Sequence, residues 1–235
     1  MLFYIIRHGH PDYGTDSLTE RGRLQALAVG KRLSNVGITH IYSSPQGRAR
    51  QTAQPLCDFT HKTATVLPWA HEMSEEMLVP FPDGQMRSFT FLPNGEFFKD
   101  GGALLTEETS FAANGFRDAV GIEPKCRAVW NAVDELLAGH GYRREGEIYR
   151  IERPNEDRIA LFCHNDLARV VFSHLVHVPI HTVWASFSMS HTGVTVLELR
   201  NWPCGETVPR CLCFDDLSHL AADNQALNFD GRLPI

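Results

Sequence analysis

The spacing of apolar positions along the chain changes period several times. Leu2-Phe3-Tyr4-Ile5-Ile6 and Ile159-Ala160-Leu161-Phe162-Cys163 are unbroken runs of aromatic and branched residues. Such runs predict strands buried on both faces. His40-Ile41-Tyr42-Ser43 reads as another strand, and Val66-Leu67 ends a third in chain order. Helical spacing intervenes. Thr19 is a predicted N-cap for a helix whose apolar stripe is Leu24, Leu27, Ala28 and Leu33, closed by Gly37. Ser44-Pro45 predicts a second cap and first helical position. Pro124 starts a helix with Val129, Val133, Leu136 and Leu137 on one face and Gly139 at its end. A fourth helix runs from Asn165 to about Val178, and residues 194–199 and 210–214 form a last β pair. Strands alternating with helices predict an α/β fold, a three-layer α/β/α sandwich around a mostly parallel sheet.

The middle of the chain breaks this rhythm. Seven of the 14 phenylalanines fall between Phe81 and Phe116. Pro93-Asn94-Gly95 sits between Phe89/Phe91 and Phe97/Phe98 as a hairpin turn would. Residues 77–157 are therefore expected to be a cap-like insertion in a single domain spanning residues 1–235.

Composition narrows the function. With 43% hydrophobic residues and a formal charge of -6, the chain is an ordinary globular protein. It lacks the basic excess of a nucleic-acid reader. Its longest apolar run, Met1 to Ile6, is too short for a signal-peptide core or a membrane span. The spacing of Cys204, Cys211 and Cys213 is not that of a zinc site, and Cys163 lies in an apolar run as a buried thiol does. His174, His177 and His181 read as structural, with no Cys or carboxylate beside them in sequence. A cytoplasmic protein without metal or cofactor is expected, with neither nucleic acid nor membrane as partner.

In parallel sheets, ligands bind beyond the carboxyl ends of the strands. The residues there are Arg7-His8-Gly9, Ser43-Ser44 leading to Arg48, and His164-Asn165. Two guanidiniums offer planar forks suited to phosphate oxygens, and helix starts favour anions. A histidine among arginines has its imidazolium form disfavoured, and a neutral imidazole beside a phosphoryl group is a nucleophile.

These residues resemble the histidine phosphatase superfamily, the phosphoglycerate mutase-like family. Arg7-His8-Gly9 after the first strand matches its signature. Residues 18–26 (LTERGRLQA) resemble its Leu-Thr-x-x-Gly-x-x-Gln-Ala segment, residues 44–53 (SPQGRARQTA) its Ser-x-x-x-Arg-Ala-x-x-Thr-Ala helix, and Cys163-His164-Asn165 its second histidine. The resemblance covers roughly residues 1–75 and 158–200. It implies that His8 is transiently phosphorylated while Arg7, Arg48 and His164 hold the phosphoryl group. It also implies an acidic proton donor after the third strand, where Glu72 matches best and Glu75 and Glu76 are neighbours. The implied activity is metal-independent hydrolysis of a small phosphorylated metabolite. A mutase and an inactive phospho-ligand binder are the alternatives. The family's Trp-Arg-x-x-Glu-Arg mutase stretch is replaced here by Trp69-Ala70-His71-Glu72-Met73, which favours hydrolysis. Specificity is expected in residues 73–157, and His10 and His71 are candidates to touch substrate.

Overall fold

The computed structural model describes residues 1–73, 78–81, 83–119 and 121–225, together with the backbone of two short strands near the C-terminus, β14 (Asn228–Phe229) and β15 (Leu233–Pro234). In chain order the other strands are β1 (Leu2–Arg7), β2 (Pro11–Asp12), β3 (Ser17–Leu18), β4 (His40–Ser43), β5 (Ala64–Val66), β6 (Leu78–Pro80), β7 (Met86–Ser88), β8 (Tyr142–Glu145), β9 (Ile148–Ile151), β10 (Arg158–Cys163), β11 (Val194–Glu198), β12 (Glu206–Thr207) and β13 (Arg210–Asp216). The helices are α1 (Glu20–Ser34), α2 (Gly47–Thr60), α3 (Ile122–Gly139), α4 (Asn165–Val176), α5 (Ile180–Ser186) and α6 (Ser218–Ala222).

Six strands form the central sheet in the order β13-β11-β1-β10-β4-β5. β1, β10, β4 and β5 run parallel; on one side β11 pairs antiparallel with β1, and β13 antiparallel with β11. The unbroken apolar runs are explained by layers on both faces. Phe3, Ile5, Ile159 and Leu161 point into a core shared with α3, α4 and α5. Tyr4, Ile6, Ala160 and Phe162 point into a second core closed by α1 and α2. The three-layer α/β/α sandwich is present. Arg7 pairs with Cys163 and Phe162 with Ser43. The residues that follow these strands therefore emerge side by side at one edge. No helix among the described residues is long and apolar enough to cross a membrane.

Several local expectations are corrected. Leu24 and Leu27 are exposed by 54% and 48%. The predicted Ala28 and Leu33 are buried, but the other buried positions of α1 are Gly22, Gln25, Ala26, Val29 and Gly30, because α1 and α2 approach closely. A Cβ on Gly30 would stand 2.8 Å from the Pro55 Cβ, so this interface selects small residues over leucines. Helix α2 starts at Gly47 with Gln46 as its cap, not at Ser44-Pro45, and the Gly47 N–H donates instead to Asp16 Oδ2 at 2.5 Å. Helix α3 begins at Ile122, two residues before Pro124. Helix α4 stops at Val176, where His177 adopts a left-handed φ of 54°, and α5 follows.

The segment around Pro93-Asn94-Gly95 is not a hairpin. Phe89–Phe91 and Asn94–Phe97 are 3₁₀ turns, and the hairpin of this region is β6–β7. Its aromatic rings fold onto α5, with Phe89 stacked on Trp184 at 4.8 Å and Phe97 edge-on to Phe116 at 5.0 Å. Burying rings in this way outweighs the ladder a short hairpin would gain.

Candidate active site

His8 directly follows β1. Its N–H donates to the Cys163 carbonyl at 2.9 Å, tying the ends of β1 and β10 together. Its ring is 1% exposed, and Nδ1 lies 2.7 Å from the Gly9 carbonyl oxygen. A carbonyl can only accept, so Nδ1 carries the proton and Nε2 keeps its lone pair. Burial above all, then the charges of His164 and Arg7, pushes the His8 imidazolium well below the ordinary histidine range. The turn after His8 requires glycine for a packing reason. A Cβ on Gly9 would sit 2.6 Å from the Gly22 carbonyl oxygen, and one on Gly22 would sit 2.2 Å from that of His10. Two motif glycines thus allow the first loop and the start of α1 to touch through backbone.

Arg7 is buried, with Nη1 donating to the Met189 carbonyl. Arg48 is the second residue of α2 and 3% exposed. Its Nη1 donates to Asp16 Oδ1 at 2.6 Å. Asp16 sits at a left-handed φ of 47° and uses its other oxygen on the Gly47 N–H. One carboxylate thus fixes both the helix start and the guanidinium. His164 caps α4 and is fully buried. Its Nε2 lies 2.7 Å from Ser44 Oγ, while its Nδ1 has no hydrogen-bond partner among the described residues. The His8 and His164 ring centroids are 5.1 Å apart. His164 too is held well below the ordinary range, by burial and then by Arg48 and Arg7.

Glu72 follows a 3₁₀ turn after β5. Its N–H donates to Gln46 Oε1 at 2.8 Å, and its Oε1 accepts from the Met73 N–H at 2.9 Å. Burial, followed by the charge of Asp166, pushes its carboxyl up to about 8. Arg7, Arg48, Glu72 and Asp166 line one cavity of about 540 Å³. The structure thus brings Arg7, His8, Arg48, Glu72 and His164 together, while Glu75 and Glu76 lie outside the described residues.

Among the described residues no histidine lines this cavity; His8 and His164 are buried beside its arginines, and His10 and His71 make other bonds. The His10 ring bonds to Thr19 Oγ1, and His71 Nδ1 to the Glu72 carbonyl. His174 and His177 meet carboxylates that lie far from them in sequence. His174 bonds to Asp134 at 2.9 Å and stacks on Trp130, and His177 lies 3.0 Å from Glu147. These partners come from distant segments. The sequence reading also missed Asp16, and it read Ser44 only as a helix cap, although its hydroxyl bonds to His164 as well as to the Gln46 N–H. A further omission is His191, whose buried ring lies 5.6 Å from that of His8.

The fold is an α/β sandwich that gathers two buried histidines, His8 and His164, and two buried arginines, Arg7 and Arg48, at one edge of its sheet. Residues 3–76 match the sequence model of the histidine phosphatase superfamily (branch 1). Over 84 residues the chain is 32% identical to a probable phosphoglycerate mutase GpmB of Erwinia tasmaniensis, covering 32% of this chain and 39% of that protein. Over 71 residues it is 38% identical to the Citrobacter koseri protein of the same name, covering 24% and 33%. The matched segment thus spans under two-fifths of the length of these relatives. Fold similarity extends much further. The phosphoserine phosphatase of Entamoeba histolytica, solved with 3-phosphoglyceric acid, superposes with a TM-score of 0.62 at 19% identity, covering 93% of this chain and 98% of that one. A putative alpha-ribazole-5'-P phosphatase of Escherichia coli gives 0.61 at 18%, covering 92% and 96%. The chain shares the fold of these phosphatases over about nine-tenths of its length.

Proposed function

We propose that this protein is a phosphomonoester hydrolase that works without metal through a phosphohistidine on His8. The observation that carries the reading is the His8 Nδ1–H bond to the Gly9 carbonyl. It leaves Nε2 as a neutral nucleophile beside two guanidiniums, Arg7 and Arg48, which line the adjoining cavity. Nε2 attacks phosphorus and the bond to the ester oxygen breaks. Arg7 and Arg48 balance the charge of the equatorial oxygens, a role a cation would otherwise fill. In this mechanism the Ser44 hydroxyl, which also accepts the Gln46 N–H at 3.2 Å, donates its proton to His164 Nε2 2.7 Å away. His164 Nδ1–H is then the donor to a phosphoryl oxygen. Glu72, protonated at neutral pH, gives its proton to the departing oxygen. In the second step water attacks the phosphohistidine, the Glu72 carboxylate takes the water proton, and inorganic phosphate leaves.

The substrate is a small phosphorylated metabolite. Ser88, Thr90, Phe91 and Asn94 of the inserted segment line the cavity together with Trp184 and Ser186, which supports residues 77–157 as the specificity region. The test is phosphate release from a panel of phosphorylated metabolites with excess EDTA present. Release by the wild-type chain and none by His8→Ala supports the reading. Activity that EDTA abolishes and zinc or magnesium restores contradicts it. Interconversion of phosphoglycerates without net phosphate release assigns the chain to mutase chemistry instead.

A further inference from the structure

A second constellation lies at the opposite edge of the sheet. His40 opens β4, Asp157 immediately precedes β10, and His140 immediately follows α3. Ser44 and the catalytic pocket are at the other end of β4. His140 Nδ1 lies 2.9 Å from Asp157 Oδ2, and His40 Nδ1 lies 3.9 Å from the same oxygen. The two imidazoles meet edge to face at 4.8 Å, and one donor atom from each of the three residues lies within 4.8 Å of the others. All three line a cavity of about 500 Å³, distinct from the catalytic one. Glu135 and Arg153 are also in its wall, one acidic and one basic, and the Arg153 guanidinium donates to the Gly139 carbonyl.

We propose that His40, His140 and Asp157 form a binding site for a divalent transition-metal ion of the zinc type. Two imidazoles and one carboxylate are the donor set that such ions take when the protein supplies three ligands. Magnesium and calcium demand more oxygens. A four-coordinate ion with bonds of about 2.0–2.1 Å holds its donors about 3.3 Å apart, and the observed 2.9 and 3.9 Å straddle that value. His40 is half exposed, with Nδ1 3.0 Å from Thr39 Oγ1, so a turn of its ring closes the set. The ion replaces the proton between His140 Nδ1 and Asp157. His140 Nε2, 2.8 Å from the Tyr42 hydroxyl, then carries the hydrogen and donates it to that oxygen. Such outer partners orient metal-bound histidines. The remaining coordination position faces the cavity and takes water. The ion would join the entry to β4, the turn after α3 and the entry to β10.

The test is titration of the full chain with Co²⁺, followed by Zn²⁺ competition. The proposal predicts one saturable equivalent with visible bands of a four-coordinate nitrogen–oxygen site, no thiolate charge-transfer band, and displacement by Zn²⁺. Zn²⁺ should also raise the Tm, because a ligand bound only to the folded state stabilises it. His40→Ala removes a half-exposed side chain and leaves the fold intact. It should weaken Co²⁺ binding by about 10- to 100-fold and abolish the Zn²⁺-induced rise in Tm, with phosphate release unchanged. Asp157→Asn should do the same to binding. Absence of saturable binding, binding unaffected by His40→Ala, or a thiolate band marking Cys204, Cys211 or Cys213 as the ligands would each overturn the proposal.

Discussion

Ser44 Oγ and His164 Nε2 lie 2.7 Å apart, both fully buried, and they join the end of β4 to the start of α4. The bond fixes which nitrogen of His164 faces the pocket. Ser44→Ala removes it, leaving an imidazole free to take either tautomer. A neutral hydrogen bond contributes about 0.5–1.5 kcal/mol, so kcat/KM should fall about 3- to 10-fold. Ser44→Thr, which keeps the hydroxyl, should recover most of it. Steady-state kinetics on one substrate decides the matter, and full activity in the alanine variant would remove Ser44 from the site.

The same residue shows what is legible in the sequence. Its place after a strand was readable, and so were Arg7, His8, Arg48 and His164, because parallel strands deliver their following residues to a common edge. Its partner was not, since the Ser44–His164 bond spans 120 positions and Ser-Pro is locally a good helix start. The α1 stripe failed for a related reason. Leucine at helical spacing signals a core face, yet here a close helix–helix contact at Gly30 reverses the preference. In residues 78–119, phenylalanines that alternate like strand residues serve 3₁₀ turns, because their rings pack against Trp184 of a distant helix.

The Gly30 contact has a measurable consequence. Gly30→Ala gains helix propensity of up to ~1 kcal/mol. It also places a methyl carbon 2.8 Å from the Pro55 Cβ and 3.0 Å from the Leu56 nitrogen, and overpacking of this kind costs roughly 1–3 kcal/mol. The strain should win, lowering Tm by about 2–6 °C while kinetics stay near wild type. A rise in Tm would show that the helices separate without cost.

Arg48 is preset by Asp16, with Nη1 on Oδ1 at 2.6 Å. Arg48→Lys keeps the charge but loses the fork that spans Asp16 and a phosphoryl oxygen together. The expected loss in kcat/KM is roughly one to three powers of ten. Asp16→Asn, which retains a neutral acceptor, should show a smaller loss. Activity within twofold of wild type in Arg48→Lys would place the guanidinium outside the reaction.

As the proposed proton donor, Glu72 should set the alkaline limb of the pH profile. Its carboxyl is raised to about 8 by burial and by Asp166. The protonated, active form therefore dominates at neutral pH and is lost as pH rises through about 8. Glu72→Gln should flatten that limb. It should also lower turnover of an alkyl phosphate by about 10²–10⁴-fold and that of p-nitrophenyl phosphate far less, because nitrophenolate leaves without a proton. Equal losses on both substrates would make Glu72 a positioning residue, and a selective loss in Glu75→Gln or Glu76→Gln would move the acid there.

The covalent step is the centre of this account, and it can be trapped. Wild-type protein mixed with substrate, quenched within milliseconds and digested under alkaline conditions, should yield one phosphorylated peptide with the phosphate on His8. The adduct should survive base and hydrolyse in acid, as a phosphoramidate does, and it should be absent from His8→Ala. A phosphate found on serine, aspartate or cysteine, or turnover that continues in His8→Ala, would contradict the assignment of His8 as the nucleophile.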